Sequence, residues 1–184
     1  EDFAATSAQS FGLSRRAAAD YAAGLGNILQ GAGLAKTATA SMSVELVKMA
    51  ADLAAFNNIP VDEALAKLQV GLTGAERPLR ELGITMSDGV VQAAAYRLGI
   101  AEADAELSEG QKVQARYALL LAQGHKAQGA FAESSKTVAA QMQIARAQFE
   151  DAAATLGTAL LPAASKALGV LTSIAKVVTD LPQP

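Results

Sequence analysis

The sequence predicts an all-α protein, in which a small multi-helix bundle is followed by a long amphipathic, coiled-coil-like helical segment. Three observations support this prediction. Apolar residues recur at spacings of three and four along most of the chain, which is the period of an amphipathic helix. The sequence contains no run of alternating β-branched and aromatic residues of the kind that indicates a strand. Alanine, the residue with the strongest helix propensity, is the most frequent residue.

The bundle is predicted to begin with two helices separated by a glycine-containing turn. Ser14 can act as the N-cap of the first helix, which ends near Gly31 and Gly33. The second helix is predicted to start at Leu34 and to end at the asparagine pair 57–58. Its apolar face is predicted to contain Met42, Leu46, Met49, Leu53 and Phe56.

A third helix is predicted to start at Pro60 and to end at Gly74. Proline suits the first turn of a helix, where its missing N–H has no partner in any case, and glycine suits the end. The leucines at helical spacing between them predict the buried face of this helix. They are Leu65, Leu68 and Leu72.

The charged segment after the third helix is predicted to form a structural turn, defined by Gly74, Pro78, Arg80 and Gly83. Its Arg and Glu side chains have two interpretations, a partner-binding patch or an intramolecular clasp around Pro78. The clasp is favoured, because Pro78 and Leu79 anchor the turn between two apolar helices.

Two further helices complete the predicted bundle. Ser87 is expected to cap the first, and its inward residues are predicted to be Val90, Val91, Ala94 and Leu98. The acidic stretch 100–109 is predicted to be a solvated corner, and Ser108 to cap the second helix. The glycines of 124–129 interrupt that helix, so the compact bundle is predicted to occupy residues 12–127.

Residues 134–181 are predicted to form a long helical segment with a break near Pro162, since proline removes a backbone hydrogen bond and clashes one turn back. Its apolar residues alternate in steps of four and three, as in a coiled coil, with one stutter around Leu156. This helix–helix seam consists of Val138, Met142, Ala145, Phe149, Ala152, Leu156, Leu160, Ala163, Ala167, Val170, Ile174, Val177 and Leu181.

Three interpretations of the seam remain open from the sequence. The segment can fold back onto the bundle, it can pair with other copies of the chain, or it can lie on a membrane surface. The third is disfavoured, because an interfacial helix has a basic polar face and only two lysines follow Pro162.

The residue content argues against an enzyme, a metal site and a cofactor site. There is no cysteine, the single histidine is His125, and no nucleophile-elbow or phosphate-binding glycine motif occurs. Glycan-cleaving clefts hold aromatic platforms beside their two carboxylates, and this chain has no tryptophan. A net charge of −3 argues against sequence-specific nucleic-acid binding.

The chain opens without methionine or a signal-like segment, so it is expected to be an excerpt of a longer protein.

Four stretches resemble phage tail tape-measure proteins in their core region. The longest is SVELVKMAADLAAFNNIPVDEALAKLQVGLTGAERPLRELGI, residues 43–84. Residues 111–119 (QKVQARYAL), 148–162 (QFEDAAATLGTALLP) and 16–33 (RAAADYAAGLGNILQGAG) are also similar to that family. Together they cover most of residues 12–165 in the expected order. Arg77 departs from the family, which often has a second acidic residue there.

The resemblance implies a structural protein of a tailed phage or prophage. Such proteins form elongated helical assemblies inside the tail tube, set tail length, associate with the tail tip and leave ahead of the genome at infection. It implies a virion location, in the tail tube lumen or at the tail tip. The implied partners are other copies of the chain, as a small ring or bundle such as a trimer, and tail-tip or tail-tube proteins, with membrane contact only transiently during infection. The alternative is a membrane-perforating or secreted helical effector that acts at the host envelope.

Overall fold

The computed structural model describes residues 2–179, and the side chains of residues 3–158 within them. Across this part of the chain the protein is helical and contains no strand, which confirms the all-α prediction. The helices are α1 (Asp2–Phe11), α2 (Arg15–Gly31), α3 (Lys36–Asn57), α4 (Val61–Leu72), α5 (Glu76–Arg80), α6 (Asp88–Arg97), α7 (Glu109–Gly124), α8 (Ala130–Ser134) and α9 (Val138–Thr179), with a 3₁₀ turn at His125–Ala127.

The ends of several helices lie where the sequence predicts them. The Ser14 hydroxyl accepts a hydrogen bond from the Ala17 N–H at 3.3 Å and caps α2. Ser108 and Gln111 form a reciprocal capping box at the start of α7. Asn58 ends α3 in the left-handed conformation, with φ +53°. These ends are determined locally, because each depends on side chains and backbone angles within one turn of the helix.

Helix α4 lies at the centre of the core and packs against α2, α3, α5 and α7. Its residues Leu65, Leu68 and Leu72 are fully buried, as the sequence predicts. Opposite them, α3 buries a mixture of leucines and alanines. The short alanine side chains allow the helix backbones to approach closely, but each buries little apolar area. Most of the buried apolar area of the core is therefore contributed by its leucines and other large side chains.

Two residues that the sequence places on inward faces are exposed instead. Phe56 is 61% exposed and Leu98 is 50% exposed. Phe56 lies in the last turn of α3, and Leu98 is the residue that follows α6. Leu98 lies past the last residue of α6, whereas Phe56 lies about 120° around the helix axis from the fully buried Ala50, at the margin of the buried face of α3.

The packed core extends beyond the predicted limits of 12 and 127, and those limits need correction. Helix α1 precedes residue 12 and packs against α2 and α9. Beyond residue 127, Phe131 of α8 and Ile144 of α9 are both buried in the same hydrophobic core. Composition did not reveal these contacts, because both regions are rich in alanine and serine and look like surface helices.

The long segment also differs from its prediction in its start and in its continuity. Helix α9 begins at Val138 rather than at residue 134, and the Thr137 hydroxyl accepts a hydrogen bond from the Ala140 N–H at 3.3 Å. The helix continues through Pro162 to Thr179, so the predicted break is wrong. Proline removes a single backbone hydrogen bond, and the alanine- and leucine-rich turns on either side have high helix propensity.

Candidate interaction face on α9

The first half of α9 has two apolar faces, and only one of them is covered. Ala140, Ile144 and Ala147 are buried against the bundle. The large exposed apolar side chains of the other face are Val138 at 78%, Met142 at 69%, Phe149 at 75% and Leu156 at 64% exposure. Residues two apart in a helix differ by about 200° around its axis. The exposed face, here called the α9 stripe (Val138, Met142, Ala145, Phe149, Ala152 and Leu156), is therefore directed away from the bundle.

Polar contacts from the bundle side determine how α9 is oriented. The Asp151 carboxylate accepts a hydrogen bond from the Arg15 N–H at 2.7 Å, at the N-terminus of α2. A carboxylate is favoured at this position, because the free N–H groups of a helix N-terminus carry partial positive charge. The amide of Gln148 donates to the side chain of Gln9 at 3.1 Å. These contacts attach α9 to α1 and α2 through Asp151, on the face opposite the stripe, and through Gln148, at the side of the helix.

The first half of the predicted segment does pack on the bundle, but through Ala140, Ile144 and Ala147. The six seam residues of the stripe are all exposed and take no part in that packing. Pairing with other copies stays a prediction. The remaining seam positions, Leu160, Ala163, Ala167, Val170, Ile174, Val177 and Leu181, lie outside the side chains that the structure describes.

A groove of about 740 Å³ runs beside the stripe, between α9 and the turns that precede α2 and α4. Its walls include Tyr21, Ile59 and Met142. Burial, and secondly the negative charge of Asp62, raises the pKa of the Tyr21 hydroxyl. Arg146 on the rim forms an ion pair with Glu150, with 3.2 Å between Nε and Oε1. The groove thus adds apolar surface next to the stripe, and the two charges that α9 places on its rim, Arg146 and Glu150, are paired with each other.

The residues of the predicted turn lie together, and Arg80 is paired within the chain. Gly74 and Gly83 have φ values of +110° and +76°, which favour glycine. Arg80 forms an ion pair with Glu76 at 3.6 Å. Pro78 lies inside the short helix α5, next to the fully buried Leu79. This arrangement favours the intramolecular clasp over a partner-binding patch.

A second ion-pair cluster joins α4 to the end of this turn. Lys67 contacts both Glu63 and Glu81. The hydrogen bond from Lys67 holds the pKa of the Glu81 carboxyl below its usual value, and the same contact raises the pKa of Lys67. The cluster lies at the surface, where such pairs contribute little to stability.

Arg116 is a structural residue that the sequence analysis missed. Its side chain is 6% exposed, and its guanidinium donates to the carbonyl of Leu72, the last residue of α4, at 3.2 Å. A Cβ atom at Gly74 would lie 3.0 Å from the same guanidinium. A cation is favoured at a helix C-terminus, where carbonyl groups lack partners. Only the tertiary fold brings these residues together, since they are more than 40 positions apart.

Tyr117 joins α7 to α3 through a hydrogen bond from its hydroxyl to the Glu45 carboxylate. Burial first, and then this hydrogen bond, raises the pKa of Tyr117 above its ordinary value of 10.0. Because the folded-state pKa exceeds the unfolded one, the stabilisation is fully present below about pH 10 and is lost as the pH rises towards the raised pKa.

We expect Tyr117→Phe to lower the free energy of unfolding by about 1 kcal/mol at neutral pH, because a hydrogen bond is lost. The variant should also lose less stability than the parent protein as the pH is raised above 10. Urea unfolding followed by circular dichroism across this range measures both effects. Equal alkaline slopes for the two proteins would contradict the assigned role of Tyr117.

The described part of the chain offers no arrangement suited to metal binding or to crossing a bilayer. His125 is exposed in the 3₁₀ turn. Within the residues described, no group of three His, Asp or Glu side chains is placed to hold a metal ion. No helix among them combines the length and apolar character that a membrane span requires.

No family model, curated protein or solved structure matches the chain.

Proposed function

We propose that this chain is a structural module of a tailed-phage or prophage tail, of the tape-measure type, and that it works by packing against other chains without catalysing a reaction. The observation that carries the assignment is the order of residues 43–84 and its resemblance to the core of that family. The proposed location is the tail tube lumen or the tail tip.

The surface of the protein is consistent with a role in which it packs against other chains. Four large apolar side chains on α9 are each more than 60% exposed and lie on one face. Single exposed apolar residues are ordinary, but a contiguous row of them usually marks an interface. The turn and the Lys67 cluster, in contrast, are bonded within the chain, which leaves the α9 stripe as the feature best suited to a partner.

The helical arrangement suggests how the module relates to length determination. Helix α9 contains 42 residues. At about 1.5 Å per residue it extends roughly 63 Å, so that each added residue lengthens it by a constant amount. The bundle formed by α1 to α8 is compact and unsuited to a ruler. We therefore propose that the bundle is a folded head and that α9 leads from it into the rod.

An in-frame deletion of this segment from its gene tests the proposal. We expect particles without tails, or with tails of altered length in negative-stain electron microscopy. Antibodies against the chain should detect it in purified tailed particles. A complementing copy with the intact segment should restore normal tails, which controls for effects on neighbouring genes.

Two results would contradict the assignment. One is unchanged tails after the deletion together with absence of the chain from particles. The other is dye leakage from vesicles of host-like lipids caused by the purified chain, combined with secretion in the absence of particles. The second result would favour an effector that acts at the host envelope.

A further inference from the structure

Helix α9 is attached to the bundle by a small apolar contact. Among its described side chains, the buried apolar ones are Ala140, Ile144 and Ala147, and of these only Ile144 is larger than alanine. Helix α4, in contrast, buries three leucines and a valine. An alanine methyl group removes little apolar area from water, so packing alone holds this 42-residue helix weakly.

Three open clefts lie along the same contact, with volumes of about 740, 320 and 120 Å³. The first lies between α9 and the turns before α2 and α4, and the second lies between α9 and α1. The third lies between the first turn of α9 and the end of α3. Well-packed protein interiors contain few voids larger than a water molecule. The contact between α9 and the bundle is therefore loosely packed.

The polar contacts that position α9 are made with the corner between α1 and α2 (residues 9–15), here called the α1–α2 corner. The bonded pairs are Gln143 with the Gly12 carbonyl at 3.4 Å, Gln148 with the Gln9 side chain at 3.1 Å, and Asp151 with the Arg15 N–H at 2.7 Å. Gln143 and Gln148 lie about 70° to either side of the buried face of α9, and Asp151 lies on that face. The corner therefore holds α9 from both sides.

The α1–α2 corner is fixed by contacts of its own. The fully buried Ser7 hydroxyl donates to the Leu13 carbonyl at 2.8 Å, and the Leu13 N–H donates back to the Ser7 carbonyl at 3.3 Å. Gly12 has a φ of +65°, and a Cβ atom there would lie 2.7 Å from Nε2 of Gln143. The corner is thus preformed, and the missing side chain of Gly12 leaves the space that Gln143 occupies.

The connection between α8 and α9 is suited to act as a hinge. Phe131 of α8 is buried, and its N–H donates to the Asp52 carboxylate of α3 at 3.1 Å, so α8 is anchored to the bundle. Residues 135–137 join α8 to α9, and the hydrogen bonds described for them go to partners within residues 131–141. Lys136 and Thr137 are exposed. A rotation at these residues therefore moves α9 without disturbing α8.

We propose that α9 is a releasable arm. The α1–α2 corner is the latch that holds the arm on the bundle, and residues 135–137 are the hinge about which it swings out while α1 to α8 stay folded. Elements with few buried apolar contacts and exposed hydrogen bonds open at a lower free energy than the whole fold. Release changes the angle between α9 and the bundle and exposes Ile144. This inference goes beyond the proposed function and does not depend on the tail assignment.

Distances between pairs of spin labels measure the release, because the chain contains no cysteine of its own. Ala23→Cys on α2 and Ala153→Cys on α9, both at exposed positions, form the hinge pair. Ala153 lies about 24 Å along α9 from Thr137, so a rotation of about 30° moves its label by roughly 12 Å. Ala23→Cys with Ala93→Cys, an exposed position on α6, forms the bundle pair. In the parent protein, double electron–electron resonance should give one narrow distance distribution for each pair.

Asp151→Lys should release the arm, because it places a cation at the N-terminus of α2, where a carboxylate is favoured. Loss of this charge-assisted hydrogen bond should raise the ratio of released to docked molecules roughly 10- to 100-fold, seen as a second component in the hinge-pair distribution. Glu150→Lys is the matched control. It makes the same change of charge at the neighbouring residue, whose ion pair with Arg146 lies within α9, and it should leave the distribution unchanged.

A second variant tests the latch without a change of charge. Gln143→Ala combined with Gln148→Ala removes the other two contacts with the α1–α2 corner, and it should shift the hinge pair in the same direction by a smaller amount. The bundle-pair distance and the helix content in circular dichroism should match the parent protein in every variant.

Three results would overturn the proposal. The first is the parent's single hinge-pair distance in both Asp151→Lys and the double glutamine variant. The second is equal release by Glu150→Lys, which would show that the contact of Asp151 with α2 is not the latch. The third is a bundle-pair distance that broadens together with the hinge pair, because the variants would then unfold the protein instead of releasing α9.

Discussion

Replacing Leu68 with alanine is expected to lower the free energy of unfolding by about 2–5 kcal/mol, the range for large-to-small substitutions in packed cores. Leu68 is fully buried in α4, the helix that packs against α2, α3, α5 and α7. The substitution removes apolar contacts and leaves a cavity between several helices at once. Because small domains have a total stability of only about 5–15 kcal/mol, this is a large fraction of it.

Urea unfolding measures the loss, and Leu98→Ala provides the control. Leu98 is also a leucine at a predicted inward position, but it is 50% exposed at the end of α6. Its substitution should cost less than about 1 kcal/mol, because neighbouring side chains and water can fill the space. Equal losses for the two variants would show that α4 is not the centre of the core.

Gly110→Ala should produce the second large effect, a destabilisation of about 1–3 kcal/mol from overpacking. Gly110 is the second residue of α7. A Cβ atom there would overlap the backbone carbonyl oxygen of Ala32, at the end of α2. A backbone atom cannot rotate away as a side chain can, so α2 and α7 would have to separate. We expect the variant to remain helical but to unfold at a lower urea concentration.

Gly89→Ala is a closely matched control, because Gly89 is the second residue of α6 and also follows a serine N-cap. A Cβ atom at Gly89 meets nothing within 4 Å. Here the higher helix propensity of alanine should dominate and should stabilise the protein by up to about 1 kcal/mol. The two substitutions are therefore predicted to have opposite signs. Stabilisation by Gly110→Ala would show that α2 and α7 do not approach each other as closely as described.

Much of the secondary structure could be predicted because its signals are local. Ser14, Ser108 and Asn58 mark helix ends through contacts that span no more than four residues. The spacing of Leu65, Leu68 and Leu72 identifies a buried helical face without knowledge of its neighbours. The sequence also reveals the row of apolar residues on α9. It cannot reveal whether that row is covered.

Other predictions failed because their outcome depends on which helices meet. Phe56 and Leu98 continue apolar repeats, but the neighbouring helices do not cover them. Helix α1 and the first half of α9 look like surface helices from their composition, yet both contribute to the packed bundle. No sequence pattern predicted that Arg116 would be buried and bonded to the end of α4, because its partner Leu72 is distant in the sequence.

The sequence by itself determined the helical character of this protein and most of its helix ends, and the proposed tail role rests on the sequence alone. The tertiary structure decided which face of α9 packs against the bundle and which remains exposed. The physical reason is that both faces of α9 carry apolar residues at helical spacing, so periodicity does not distinguish them. The contacts of Ile144 with the core and of Asp151 with the N-terminus of α2 select one face and leave the stripe exposed.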